Sequence, residues 1–83
     1  MEGNPTERKP EMTIELVKIL EAANYHNTKA NRFFDAYNET EDSTWYELSK
    51  DQTMMTKGLL EAYEILTGKK VYLSEIEKEL ELC

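Results

Sequence analysis

Two apolar stripes constrain the fold of this chain most strongly, because each fits one face of an α-helix. The first stripe consists of Leu16, Leu20, Ala23, Asn27, Ala30, Phe34 and Tyr37. The second stripe consists of Trp45, Leu48, Gln52, Met55, Leu59, Ala62 and Leu66. Both alternate steps of three and four residues, which keeps side chains on one side of a helix. The pattern predicts two long helices that fold back about residue 41 into an antiparallel hairpin.

The mirror symmetry of the stripes also predicts how the helices are aligned. Folding about residue 41 places Tyr37 opposite Trp45 at one end of the seam. Asn27 and Gln52 then fall in adjacent layers, where a hydrogen bond between their amides would fix the alignment. We therefore expect one polar contact inside an otherwise apolar seam.

The first helix has a clear start and one weak segment. It should run from Ile14 to about Asn38, with the Thr13 hydroxyl as its N-cap. Poor helix formers at Asn24–Thr28 leave open a break there, which would give four helices instead of three. We favour one continuous helix because the apolar stripe keeps its phase across this segment.

The second helix is bounded by residues that favour helix ends. Residues 39–43 form the predicted turn, and Asp42 or Ser43 would cap the helix that follows. The helix should end near Leu66, because Gly68 takes the left-handed conformation without a steric penalty. Gly58 lies inside the helix, where it would permit close approach of a neighbouring helix.

A short third helix is predicted at the C-terminal end. Ser74–Glu77 matches the capping-box pattern, and a helix of about eight residues would follow it. Leu73, Ile76, Leu80 and Cys83 again step by three and four residues. The fold class predicted from the whole pattern is all-α: a long antiparallel helical hairpin plus a short C-terminal helix.

Length and composition favour one small cytoplasmic domain. Residues 1–11 are polar and contain both prolines, so we expect a disordered leader followed by a single helical domain at residues 12–83. No apolar run approaches the ~18 residues of a membrane span. The single cysteine, Cys83, has no partner for an internal disulfide, which is typical of a cytosolic chain.

The charge of the chain is negative and concentrated. The formal net charge is −7, and residues 39–51 carry five acids and one lysine. The candidate acidic patch consists of Glu39, Glu41, Asp42, Glu47 and Asp51. An acidic surface repels phosphate and anionic lipid, so we expect neither direct nucleic-acid binding nor membrane binding. The spacing does not match an EF-hand, and no metal site is predicted.

Residue types that carry catalysis are scarce. His26 is the only histidine, so the chain offers neither a Cys/His metal set nor a conventional histidine-based nucleophile–base pair. A glycine-rich phosphate loop is also missing from the sequence. We therefore expect no enzyme activity and no cofactor.

One dipeptide resembles a known family. Asp42-Ser43 stands near the middle of an acidic, helix-rich chain, and this arrangement resembles the Asp-Ser-Leu motif of acyl carrier proteins. The resemblance implies phosphopantetheine attached to Ser43. Thr44 replaces the leucine of that motif and Glu41 replaces its usual small residue, so the resemblance is confined to two residues.

Apolar residues off the main stripes exceed what two helices can bury. The candidate surface for a partner or for self-association consists of Ile19, Phe33, Trp45, Tyr46, Leu60 and Tyr63. Helices that are apolar beyond one stripe need cover on a second side. We expect a non-enzymatic interaction module, such as a regulator, adaptor or inhibitor, that binds a protein partner or forms a homodimer. Accessory proteins of phages and mobile elements often have this character.

A second function of a different class follows from the charge. An acidic chain could occupy the basic groove of a nucleic-acid-binding protein and inhibit it as a nucleic-acid mimic. Such binding would weaken steeply as salt is added, because it is electrostatic.

Overall fold

A computed structural model describes residues 13–82, and within that range the chain is all-α without strands. Helix α1 spans Ile14–Thr40, α2 spans Ser43–Thr67 and α3 spans Ile76–Glu81, with a 3-10 turn at Leu73–Glu75. Helices α1 and α2 form an antiparallel hairpin about 40 Å long at 1.5 Å per residue. The predicted hairpin with a short C-terminal helix is confirmed. The predicted leader at residues 1–11 and Cys83 lie outside the described residues.

The first helix is continuous through Asn24–Thr28, so the alternative with four helices is wrong. His26 in this segment bonds to α2: its Nδ1 donates to Gln52 Oε1 at 2.6 Å. Ala23 and Ala30, on either side of the segment, are buried against the rest of the fold. Packing of this kind outweighs weak helix propensity, which differs by only tenths of a kcal/mol per residue.

The predicted helix ends are largely confirmed. The Thr13 hydroxyl accepts from the Leu16 backbone at 3.2 Å. Asp42 caps α2, its carboxylate accepting from the Thr44 backbone at 2.9 Å. Gly68 follows the last residue of α2 with φ of 75°, in the left-handed region. These caps satisfy backbone groups that the helix ends would otherwise leave without partners.

The turn between the long helices is shorter than predicted. Only Glu41 and Asp42 separate α1 from α2, because α1 continues to Thr40. Glu41 takes the left-handed conformation with φ of 58°, and its backbone donates to the Tyr37 carbonyl at 2.6 Å. A side chain in this conformation is strained relative to glycine.

The phase of the second stripe was predicted only in part. Trp45 and Gln52 contact α1, and Leu59 packs against the core. The buried residues of α2 are Ser49, Thr56, Leu60 and Tyr63. Three predicted seam residues are exposed instead: Leu48, Met55 and Leu66. Leu48 and Met55 each precede a buried residue, so they lie about 100° around the helix from the true seam.

Two hydroxyl residues explain the error, because their polar groups are satisfied inside the seam. Ser49 Oγ donates to the Ala30 carbonyl of α1 at 3.0 Å. Thr56 Oγ1 donates to the Gln52 carbonyl of its own helix at 2.9 Å. A buried hydroxyl costs little when it is bonded, and Ser49 opposite Ala30 is small enough to let the two backbones approach.

The alignment of the helices also differs from the prediction by about one turn. Ala30 contacts Ser49, where the mirror symmetry paired it with Gln52. Gln52 bonds to His26, so the predicted hydrogen bond between Asn27 and Gln52 is wrong. The seam does contain a polar contact, but its partners are set by the true phase of α2.

The third helix completes the core at one end of the hairpin. Ile76 is 1% exposed and packs with Val71 against Leu16 and Leu20 of α1. The chain reaches this position through the 3-10 turn, where Glu75 Oε1 accepts from the Tyr72 backbone at 3.2 Å. The predicted cap at Ser74 is therefore replaced by one that starts two residues earlier, and α3 is six residues long.

Candidate functional site

The predicted partner surface divides between the core and the exterior. Leu60 is 7% exposed and Tyr63 is 2% exposed, so both belong to the core of the monomer. Their assignment to an exposed surface is wrong, because the true phase of α2 turns them towards α1 and α3. Ile19 is half-buried and packs against the same core cluster.

The aromatic members of that surface lie together near the turn. Phe33 and Trp45 stack with ring centroids 5.7 Å apart, and both are half-buried. Tyr37 and Tyr46 form a second interhelical pair with centroids 5.4 Å apart. These four rings join α1 to α2 at the end where α3 is absent. These four rings therefore stabilise the packing of α1 against α2.

The candidate acidic patch is exposed throughout. Its members are Glu39, Glu41, Asp42, Glu47 and Asp51. Two of them have structural roles, since Asp42 caps α2 and Glu41 ends α1. Within residues 13–82, no three acidic, histidine or cysteine side chains are grouped as a metal site would require.

Ser43 is the first residue of α2 and is exposed. The neighbouring Asp42 carboxylate is engaged with the Thr44 backbone as the helix cap. Capping gives a physical reason for an Asp-Ser pair at this position that requires no attached group.

A buried carboxylate that the sequence did not single out connects α3 to α2. Tyr63 Oη donates to Glu79 Oε2 at 3.0 Å, and Lys69 Nζ donates to Glu79 Oε1 at 2.8 Å. Glu79 follows Ile76 by three residues, so it shares the inward side of α3. That spacing was the available sequence signal that Glu79 is buried. An acidic residue at such a position is nevertheless predicted to be exposed as long as its buried partner is unknown.

A large apolar surface lies on α2, directed away from α1. We call it the outer face; it consists of Met54, Met55, Gly58, Ala62, Ile65 and Leu66. Ile65 is 77% exposed, Met54 69%, Leu66 62% and Met55 49%. These six positions fall within about 120° of the helix circumference.

Gly58 lies near the middle of the outer face, and no contact within the described residues requires a glycine there. A Cβ built on it meets nothing within 4 Å. Within the described residues, no neighbouring helix therefore approaches Gly58, and the predicted close approach stays a prediction. Glycine inside an exposed helix costs roughly 1 kcal/mol relative to alanine, and no contact among the described residues offsets that cost at Gly58.

A groove lies between α2 and the segment that leads to α3. Its volume is about 650 Å³, and Leu60, Val71 and Leu73 form its apolar floor. Lys57 and Glu61 on α2 line its rim. The groove is open to solvent and lies beside the outer face on α2.

Three comparisons with known proteins add no relative: no family model, no curated protein and no solved structure matches this chain. Within residues 13–82, no helix combines the length and the apolar character needed to cross a bilayer.

Proposed function

We propose that this protein is a non-enzymatic interaction module that acts by binding another protein chain through the outer face of α2. One observation supports the proposal most directly: four large apolar side chains on one side of α2 are between 49% and 77% exposed. Monomeric proteins rarely expose apolar side chains in contiguous groups, and such groups mark interaction sites.

The chemistry of the outer face suits a protein partner. Met54 and Met55 are flexible and polarisable, so they adapt to the shape of an apposed surface. Ile65 and Leu66 add aliphatic area about three turns further along α2. An amphipathic helix of this kind is recognised by burial of its apolar positions against another helix or groove.

The acidic patch contributes charge near one end of the same helix. Its five carboxylates are exposed, and Glu47 and Asp51 belong to α2 itself. A partner with basic residues beyond its apolar contact would be oriented by this charge. Binding through the outer face would then be moderately sensitive to salt, whereas a nucleic-acid mimic would depend on salt steeply.

The proposal is tested with two isoleucines of similar exposure. Ile65→Glu changes the outer face, and Ile14→Glu changes a 70% exposed isoleucine at the start of α1. Each variant is tagged, incubated in extract of its host cells beside the parent chain, and bound proteins are quantified by mass spectrometry, including untagged copies of the chain.

We expect a protein that binds the parent chain and the Ile14→Glu variant but is lost from the Ile65→Glu variant. Circular dichroism of both variants should match the parent, because neither isoleucine is buried. Equal binding by the two variants would contradict the role of the outer face. A parent chain that binds no protein and stays monomeric would contradict the proposed function.

A further inference from the structure

We infer that Met54 and Met55 form an oxidation site that changes the outer face from apolar to polar while the chain stays folded. The oxidant is a peroxide, and the product is methionine sulfoxide at each residue. The site follows from the exposure of the two side chains and from the composition of the core. Only its effect on binding rests on the proposed function.

The two thioethers are accessible from solvent. Both side chains are exposed on the outer face, Met54 more than Met55. Position 58 lies one turn further along α2, where a helical side chain would lean back over these two residues. Gly58 has no side chain, and a Cβ placed there would meet nothing within 4 Å. The turn that carries the methionines is therefore uncovered from that side.

The oxidation needs no group of the protein other than the thioether. The sulfur lone pair attacks one oxygen of hydrogen peroxide, so that an S–O bond forms and the O–O bond breaks. After proton transfer the other oxygen leaves as water; the sulfur has lost two electrons and the peroxide has gained them. Hydrogen peroxide is uncharged, so the net charge of −7 does not repel it from α2.

Oxidation at this site should spare the fold, because neither methionine belongs to the core. Met54 and Met55 are the only methionines in residues 13–82, and the buried apolar side chains of that range are leucine, isoleucine, valine, alanine and tyrosine. Methionine oxidation disrupts a core because it places a polar group among apolar side chains. Here both sulfoxides would face solvent, and the packing of the helices would not change.

The outer face, in contrast, would change strongly. The two methionines are half of its four large apolar side chains. A partner that covered a sulfoxide would remove water from its oxygen, which is unfavourable unless a new hydrogen bond forms. We therefore expect oxidation to weaken binding by at least about tenfold. Thiol-dependent methionine sulfoxide reductases can reverse the change: two thiols are oxidised to a disulfide and the oxygen leaves as water.

Hydrophobic interaction chromatography of the purified full chain, with Cys83 alkylated, measures this change without any partner. After treatment with hydrogen peroxide, peptide mass spectrometry should find sulfoxides at Met54 and Met55, and the chain should elute earlier. The matched control combines Met54→Leu with Met55→Leu, which keeps the face apolar but prevents oxidation there. Its elution should not change, although it retains Met1 and Met12.

The fold is followed on the same samples. The oxidised parent chain should keep its helical circular dichroism, with a thermal midpoint shifted by less than about 5 °C, and the two reductases that act on the two sulfoxide epimers should restore its elution. Loss of helical signal on oxidation would overturn the inference. So would the absence of sulfoxide at positions 54 and 55, or an equal change in the elution of the double-leucine variant.

The effect on binding is measured separately, by capture from host-cell extract with the oxidised parent chain and the oxidised double-leucine variant. We expect the captured protein to be lost from the first and kept by the second. A protein captured equally by both would contradict the control of binding by oxidation. If the untreated parent chain captures no protein, the proposed function fails, whereas the chromatography still decides whether Met54 and Met55 are the oxidation site.

Discussion

The two ends of the hairpin are held together in different ways. At the end that carries α3, three helices enclose Leu20 and Ala23, both fully buried. At the turn end only two helices meet, and the pairs Phe33–Trp45 and Tyr37–Tyr46 join them without burying any of the four rings completely. The difference indicates that the six residues of α3 complete a hydrophobic core at one end of the hairpin, whereas the other end depends on pairwise contacts.

The largest effect should come from truncation at the enclosed end. Leu20→Ala is expected to lower the free energy of unfolding by about 3 kcal/mol, because it opens a cavity that three helices cannot easily close. Urea denaturation at low protein concentration measures the change. Ile14→Ala, at an exposed isoleucine, is the control and should change stability by less than about 0.5 kcal/mol. A similar small loss for Leu20→Ala would mean that α3 does not form a rigid core.

The buried carboxylate of Glu79, at the end that carries α3, provides a second comparison. Tyr63→Phe removes the hydroxyl that donates to Glu79 and should lower stability by about 2 kcal/mol, the magnitude of a buried hydrogen bond to a charged group. Lys69→Met removes the ion pair with Glu79; because the Lys69 side chain is 54% exposed, the change should cost less than about 0.5 kcal/mol. Denaturation curves with equal losses for both variants would contradict this ranking.

Truncation at the turn end should have a smaller effect than at the enclosed end. Trp45→Ala is expected to lower stability by about 1.5 kcal/mol, because it removes a half-buried ring and its stacking on Phe33. The loss should be followed by urea denaturation monitored by circular dichroism, since the only tryptophan is removed. A loss larger than that of Leu20→Ala would reverse the comparison of the two ends.

Substitutions at the residues that end the two long helices should change the free energy of unfolding by about 1 kcal/mol or less. Gly68 and Glu41 share the left-handed conformation, with φ of 75° and 58°. Gly68→Ala should lower stability by about 1 kcal/mol, whereas Glu41→Gly should raise it by roughly 0.5 kcal/mol, because only glycine adopts this conformation without strain. Thermal melts of the two variants should therefore shift in opposite directions. Shifts of the same sign would show that cap strain does not control these positions.

The sequence predicted the helices well because their ends depend on local chemistry. Thr13, Asp42 and Gly68 act on backbone groups a few residues away, so neighbouring residues suffice to identify them. The continuity of α1 was also predictable, since its apolar phase persists through Asn24–Thr28. The caps are independent of the way the helices pack, whereas the continuity of α1 also depends on the burial of Ala23 and Ala30.

The phase of α2 was not predictable in the same way. Apolar residues lie on two adjacent sides of this helix, and hydrophobicity alone selects the side of Leu48 and Met55. The actual seam uses Ser49 and Thr56, whose hydroxyls find carbonyl partners only once the backbone is in place. Because the buried side of α2 was predicted incorrectly, Leu60 and Tyr63 were assigned to the surface. The outer face was missed for the same reason.

The most direct measurement of binding through the outer face is a pair of amide NMR spectra of the isotope-labelled full chain, recorded in buffer and in extract of its host cells. We expect the amide signals of Met54, Ile65 and their neighbours on the outer face to shift or broaden in extract, with the core residue Leu20 unchanged. Changes confined to residues 39–51, or identical spectra in buffer and in extract, would contradict binding through the outer face.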